Sequence, residues 1–153
     1  MTTYYLDSSA LIKRYVTDEQ GSAWFDLVLA RSNTVILTSR VSIVEVRSAF
    51  ARKFREASIL PQQLEGMISA FREDCLLRYR FVEVESHVID LATHVLDQHI
   101  LRAYDAIQLA SALRANELLT LANLTPLIFV CADVRLLSAA QNASLLAENP
   151  NDH

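Results

Sequence analysis

Short apolar runs alternate with longer amphipathic stretches along almost the whole chain. Runs rich in β-branched, aromatic and aliphatic residues predict strands at about Thr3–Leu6, Val35–Thr38, Phe81–Val84 and Leu127–Cys131. Between them, apolar positions recur at helical spacing. They predict helices over Ser8–Tyr15, Ser22–Ala30, Arg40–Glu56, Pro61–Arg78, His87–Gln98, Ala103–Glu117 and Val134–Gln141. Pro61 suits a helix start, where its missing N–H costs nothing. Strands alternating with helices imply βαβ units, hence an α/β fold with a mostly parallel sheet covered on both faces. No repeat, linker or low-complexity segment interrupts the pattern. Residues 1–147 are read as one domain, and the polar tail 148–153 is expected to fray.

Composition sharpens this picture. A chain of 153 residues, 52% hydrophobic and 21% charged, is large enough to bury one ordinary core. Two glycines and three prolines favour long regular elements over a turn-rich sandwich. The net charge of −4 excludes a generally basic nucleic-acid coat, though not an enzyme whose carboxylates are offset by metal ions. Cys75 and Cys131 are isolated and form no CxxC pair, which fits a reducing compartment better than a disulfide framework. With no signal peptide evident and no apolar run near a span's length, the expected location is the cytoplasm, away from membranes.

Candidate chemistry sits where strands hand over to helices. Asp7 follows Tyr4-Tyr5-Leu6, Asp133 follows the run ending at Cys131, and Asp105 stands at the start of a further helix. Aspartate is a preferred N-cap, so each alone has a purely structural explanation. Glu45 adds a fourth acid, read as mid-helix on a face of small residues (Ser42, Ser48, Ala49) that another backbone could approach. In open α/β sheets ligands bind beyond the carboxyl ends of the strands, where Asp7 and Asp133 are assigned. Carboxylates grouped without histidine or thiolate suit a hard cation such as Mg²⁺ or Mn²⁺, and so suit phosphodiester hydrolysis. Lys13, Arg14, Arg47 and Arg52, with Lys53 and Arg55, are the basic residues near these acids in sequence and are candidates for phosphate contacts.

Other chemistries find little support. The chain has no glycine-rich phosphate loop and no GxSxG elbow. His87, His94 and His99 lack partners at zinc-like spacing and read as surface or capping residues. Cys131 reads as a small buried hydrophobe. A phosphoaspartate receiver would need a second acid beside Asp7 and a strand-end lysine, and neither is present.

The stretches Tyr5-Leu6-Asp7-Ser8-Ser9-Ala10-Leu11, the helix bearing Glu45, Leu101-Arg102-Ala103-Tyr104-Asp105-Ala106-Ile107-Gln108-Leu109-Ala110, and Phe129 to Leu137 resemble PIN-domain ribonucleases. The likeness is to the VapC-type toxins of type II toxin–antitoxin modules. It implies a three-layer α/β/α sandwich and an endoribonuclease dependent on Mg²⁺ or Mn²⁺. It also implies a homodimer, and inhibition by a cognate VapB-type antitoxin whose C-terminal segment covers the acidic pocket. Asp7, Glu45, Asp105 and Asp133 match the family's acidic quartet, and Ser9 matches its supporting hydroxyl residue. Cys131 departs from the Thr or Ser often found two residues before the last acid, so looser orientation of Asp133 is expected. A catalytically silent PIN-like module that binds RNA or protein is the alternative.

Overall fold

The computed structural model describes residues 1–16 and 20–153. Five strands form one fully parallel sheet in the order β3-β2-β1-β4-β5: β1 (Thr2–Leu6), β2 (Thr34–Ser39), β3 (Tyr79–Val82), β4 (Ile128–Val130) and β5 (Leu146–Glu148). The helices are α1 (Ser8–Ile12), α2 (Ser22–Ala30), α3 (Ser42–Arg55), α4 (Pro61–Leu77), α5 (Ser86–Gln98), α6 (Ala103–Leu121) and α7 (Val134–Asn142). Among the described residues, no helix is long and apolar enough to cross a membrane.

The period-2 alternation of β1 explains the layering. Tyr4 and Leu6 face one side, where they pack with Leu11, Phe25, Phe50 and Phe71 from α1–α4. Tyr5 faces the other, with Val88, Leu109 and Leu136 from α5–α7. Its ring stacks on Phe129, the residue paired with it in β4, at 5.6 Å between centroids. The result is the expected α/β/α sandwich.

The sheet grows from β1 through β2 to β3, then resumes on the other side of β1 with β4 and β5. This reversal opens a crevice at the carboxyl ends of β1 and β4, the usual binding position of a doubly wound sheet. The Asp7 N–H donates to the Val130 carbonyl at 3.2 Å, extending the ladder to the edge of that crevice.

Three expectations need correction. The first helix ends at Ile12 rather than Tyr15, because the N–H groups of Lys13, Arg14 and Tyr15 bond three residues back and tighten the chain into a turn. The third strand begins at Tyr79, a buried residue paired with Ile36, two positions before the Phe81 expected. The end of the chain is not frayed. Glu148 closes β5, a 3₁₀ turn spans Pro150–Asp152 with Pro150 buried, and the His153 ring stacks on Trp24 at 5.4 Å.

Candidate active site

Asp7 leaves β1 in extended conformation and caps α1, accepting the Ala10 N–H at 2.9 Å. The Ser9 hydroxyl lies 2.8 and 2.9 Å from its two oxygens, and the Cys131 thiol donates to Oδ2 at 3.1 Å. Only 3% of Asp7 is exposed. Burial pushes its carboxyl up to about 6, opposed by those three donors and reinforced by the charge of Glu45.

Glu45 lies in the first turn of α3, not mid-helix, because α3 begins at Ser42. A helix N-terminus favours a carboxylate there. Ser8 from α1 donates to Glu45 Oε2 at 3.0 Å, and Gln108 from α6 donates to Oε1 at 2.7 Å, while Ser48, expected on an approached face, is exposed. Partial burial raises the Glu45 pKa, the two donors lower it, and the charge of Asp105 raises it further.

Asp105 is likewise a first-turn residue rather than a cap, since α6 starts two residues earlier at Ala103. Desolvation and then the charge of Asp133 raise its pKa, while Arg102 lowers it. Asp133 is exposed and caps α7, its Oδ1 accepting the Arg135 and Leu136 N–H groups at 2.8 and 3.1 Å. The α7 cap thus engages one oxygen of the Asp133 carboxylate and leaves the other without a protein donor among the described residues. The Cys131 sulfur also accepts the Asp133 N–H at 3.2 Å.

The four acids thus form a string of neighbouring charges along the crevice, Asp7 with Glu45, Glu45 with Asp105, and Asp105 with Asp133. Two adjoining clefts open onto Glu45, Asp105 and Asp133, while Asp7 lines neither and lies buried behind Ser9. One, of about 540 Å³, includes Ser9, Glu45, Arg52, Arg102, Tyr104 and Asp133 in its lining. The other, of about 380 Å³, includes Arg102, Asp105, Asp133 and Arg135. Among the described residues, no three His, Cys, Asp or Glu side chains are grouped so that they could hold one metal ion.

Residues 4–122 match the PIN domain family. The chain belongs to the PIN-domain family. Two relatives from Mycobacterium tuberculosis, Ribonuclease VapC45 of strain CDC 1551 / Oshkosh and Ribonuclease VapC49 of strain ATCC 25618 / H37Rv, are each 32% identical to it over 117 residues. Those residues span 76% of this chain and 79% of each relative. Within the family the chain stands with these VapC-type ribonucleases. Its fold recurs in the solved structure of VapBC2 from Rickettsia felis bound to a DNA fragment from their promoter. There the TM-score is 0.65 at 15% identity, over 97% of this chain and 98% of that one. It recurs too in FitAcB from Neisseria gonorrhoeae, with a TM-score of 0.63 at 14% identity, over 96% and 97%.

The basic residues of this PIN domain fall differently from the sequence reading. Lys13 is buried, with its ammonium donating to the Gln20 carbonyl at 2.7 Å. Arg14 is held by Asp74 at 2.8 Å and Asp26 at 3.1 Å. Both brace the turn after α1 and do not face the acids as free cations. Arg52 does line the acidic cleft, and Arg47 is exposed on α3. The sequence reading missed Arg102 and Arg135, which lie three residues before Asp105 and two after Asp133. Their closeness to the acids in sequence was the available signal.

Proposed function

We propose that this PIN-domain chain is a Mg²⁺- or Mn²⁺-dependent endoribonuclease, the toxin of a toxin–antitoxin pair. The observation that carries the reading is the string of four mutually repelling carboxylates at the switch point of the sheet. The names of the VapC ribonuclease relatives support RNA as the substrate. The toxin–antitoxin complexes among its structural neighbours support a protein antitoxin as partner.

The donor set is all oxygen, as a hard divalent cation prefers. Mg²⁺ usually keeps several waters and is bound through one or two carboxylates together with substrate phosphates. Asp7, Glu45, Asp105 and Asp133 would hold the cation directly or through water. Once bound, it would supply an activated water and offset charge on the leaving oxygen. The protein's own part is orientation. Ser9 and the Ala10 N–H hold Asp7, and Ser8 donates to Glu45. Arg52, Arg102 and Arg135 offer phosphate contacts beside the acids.

The test is RNA cleavage by purified protein with Mn²⁺ or Mg²⁺ and with chelator. Asp7→Asn and Asp105→Asn should each abolish cleavage while leaving the circular dichroism spectrum unchanged. Undiminished cleavage by both variants would overturn the reading. RNA binding without cleavage at any metal concentration would instead identify a silent RNA-binding module.

A further inference from the structure

A buried polar chain leads to Glu45 from behind the acidic cleft. Tyr5 and Gln108 are 0% and 1% exposed, yet every polar atom of the Gln108 side chain is engaged. The Thr38 hydroxyl donates its proton to the Leu6 carbonyl at 2.7 Å. The Ser42 hydroxyl, 2.7 Å from that of Thr38, must then be the donor between them. Its lone pairs are left to accept from Gln108 Nε2 at 2.8 Å. This fixes which end of the Gln108 amide is nitrogen. The second N–H of that nitrogen donates to Glu45 Oε1 at 2.7 Å, and Gln108 Oε1 accepts the Tyr5 hydroxyl at 2.8 Å.

An amide flipped the other way would set its oxygen against the Glu45 carboxylate and its N–H groups against the Tyr5 hydroxyl. The proton order of the chain forbids that arrangement. Glu45 therefore meets one donor on each oxygen, Gln108 on Oε1 and Ser8 on Oε2, with its remaining lone pairs free. Gln108 is fully buried, on the far side of Glu45 from solvent, and lines neither acidic cleft.

We propose that Gln108, oriented by Tyr5 and Ser42, is a positioning residue that sets the Glu45 carboxylate for RNA cleavage. The proposal rests on the nuclease reading above. Gln108→Met keeps the length and bulk of the side chain and removes its polar atoms. Tyr5→Phe keeps the ring stacked on Phe129 and removes only the hydroxyl that orients the amide.

For Gln108→Met we expect kcat to fall by roughly 10–100-fold, the usual cost of losing a hydrogen bond that orients a ligating or catalytic carboxylate, with KM for RNA within about twofold. Tyr5→Phe should give a smaller fall of the same kind. In a Glu45→Gln background, Gln108→Met should cost nothing further, since it acts through Glu45. A crystal structure of metal-free Gln108→Met should show the Glu45 carboxylate moved from its place between Ser8 and residue 108. If Glu45 stays in place and kcat is unchanged, the proposal is overturned. An equal loss in both backgrounds also overturns it, because the effect would then be one of general packing. If Gln108→Met fails to fold, Tyr5→Phe carries the same measurements. Should the unaltered chain cleave no RNA, the nuclease reading fails by itself, and the position of Glu45 in the variant crystal still decides whether Gln108 sets it.

Discussion

The thiol of Cys131 donates to Oδ2 of Asp7 at 3.1 Å, joining residues 124 positions apart in the chain. The same sulfur accepts the Asp133 N–H at 3.2 Å. One buried atom thus ties the carboxyl ends of β1 and β4 together at the crevice. A thiol is a weaker donor and acceptor than a hydroxyl, yet here it fills both roles at once. The cysteine therefore links the two acid-bearing strand ends.

Asp7 stores electrostatic strain in the metal-free protein. Its carboxyl is raised from 3.8 to about 6, first by burial. A raised folded-state pKa means that the neutral acid is favoured on folding. Its contribution to stability is fully present below about pH 4 and is lost as pH rises through about 6. Asp7→Asn keeps a capping oxygen and removes the charge. In chelator at pH 7 it should be more stable than the parent by on the order of 2–3 kcal/mol, and the difference should vanish near pH 4. Denaturant midpoints across that range check this, and an advantage independent of pH would refute it.

The two thiols should differ from an unfolded chain in reactivity. Burial and the neighbouring Asp7 charge push the Cys131 thiol far up, and burial together with Asp74 pushes that of Cys75 up to about 11. Only thiolate is alkylated, so at pH 8 iodoacetamide should modify Cys75 about a hundredfold more slowly than it modifies a free thiol. Cys131 should stay unmodified until the protein unfolds. Mass spectrometry over time gives both rates. Rapid labelling of Cys131 in folded protein would contradict its place between the strand ends.

Arginines should separate into two classes. Arg102 and Arg135 line the cleft beside Asp105 and Asp133, so replacing either with alanine should weaken RNA binding. Each replacement should also lower the dependence of log K on log salt by about 0.7, the value for one phosphate contact on a single strand. Arg14→Ala should leave that slope unchanged and cost about 1–3 kcal/mol of stability, because it removes a charged donor from the buried Asp74. Fluorescence anisotropy titrations and thermal melts distinguish the two effects. A reduced salt slope in Arg14→Ala would return that residue to the RNA-binding surface.

Legibility from sequence followed the range of the interactions involved. Asp7 could be placed because strand alternation and capping are local: Tyr4-Tyr5-Leu6 announces the strand and Asp7 its end. Glu45 was found, but its helix was started two residues early, so a first-turn acid was read as mid-helix. The strand β5 was not legible, because Leu146-Ala147-Glu148 has no pattern of its own and takes its conformation from pairing with β4. Gln108 could not have been singled out, since its role depends on Tyr5, 103 positions away, and on Ser42, 66 away. Lys13 and Arg14 misled for the same reason. Their partners lie in the turn that follows and across the fold on α4.

The chain end offers the last test, through Gly21. Its φ of 87° lies in the left-handed region, and a Cβ there would stand 2.5 Å from the Pro150 carbonyl oxygen and 2.8 Å from its carbon. Both atoms are backbone, so neither can yield without moving the terminal turn. That turn is held: Gln20 donates to the Asn151 carbonyl at 2.6 Å, and the Asn149 side chain caps Asn151 at 2.9 Å. Gly21→Ala therefore carries two separable costs. Left-handed backbone costs a residue with a Cβ about 1–2 kcal/mol wherever it occurs. The clash with Pro150 adds to that only while the terminal turn is docked. In the full chain, Gly21→Ala should cost more than about 2 kcal/mol by denaturant unfolding. In a chain ending at Glu148, the same substitution should cost only the backbone share. Equal costs in the two backgrounds would mean that the terminal residues do not pack against Gly21.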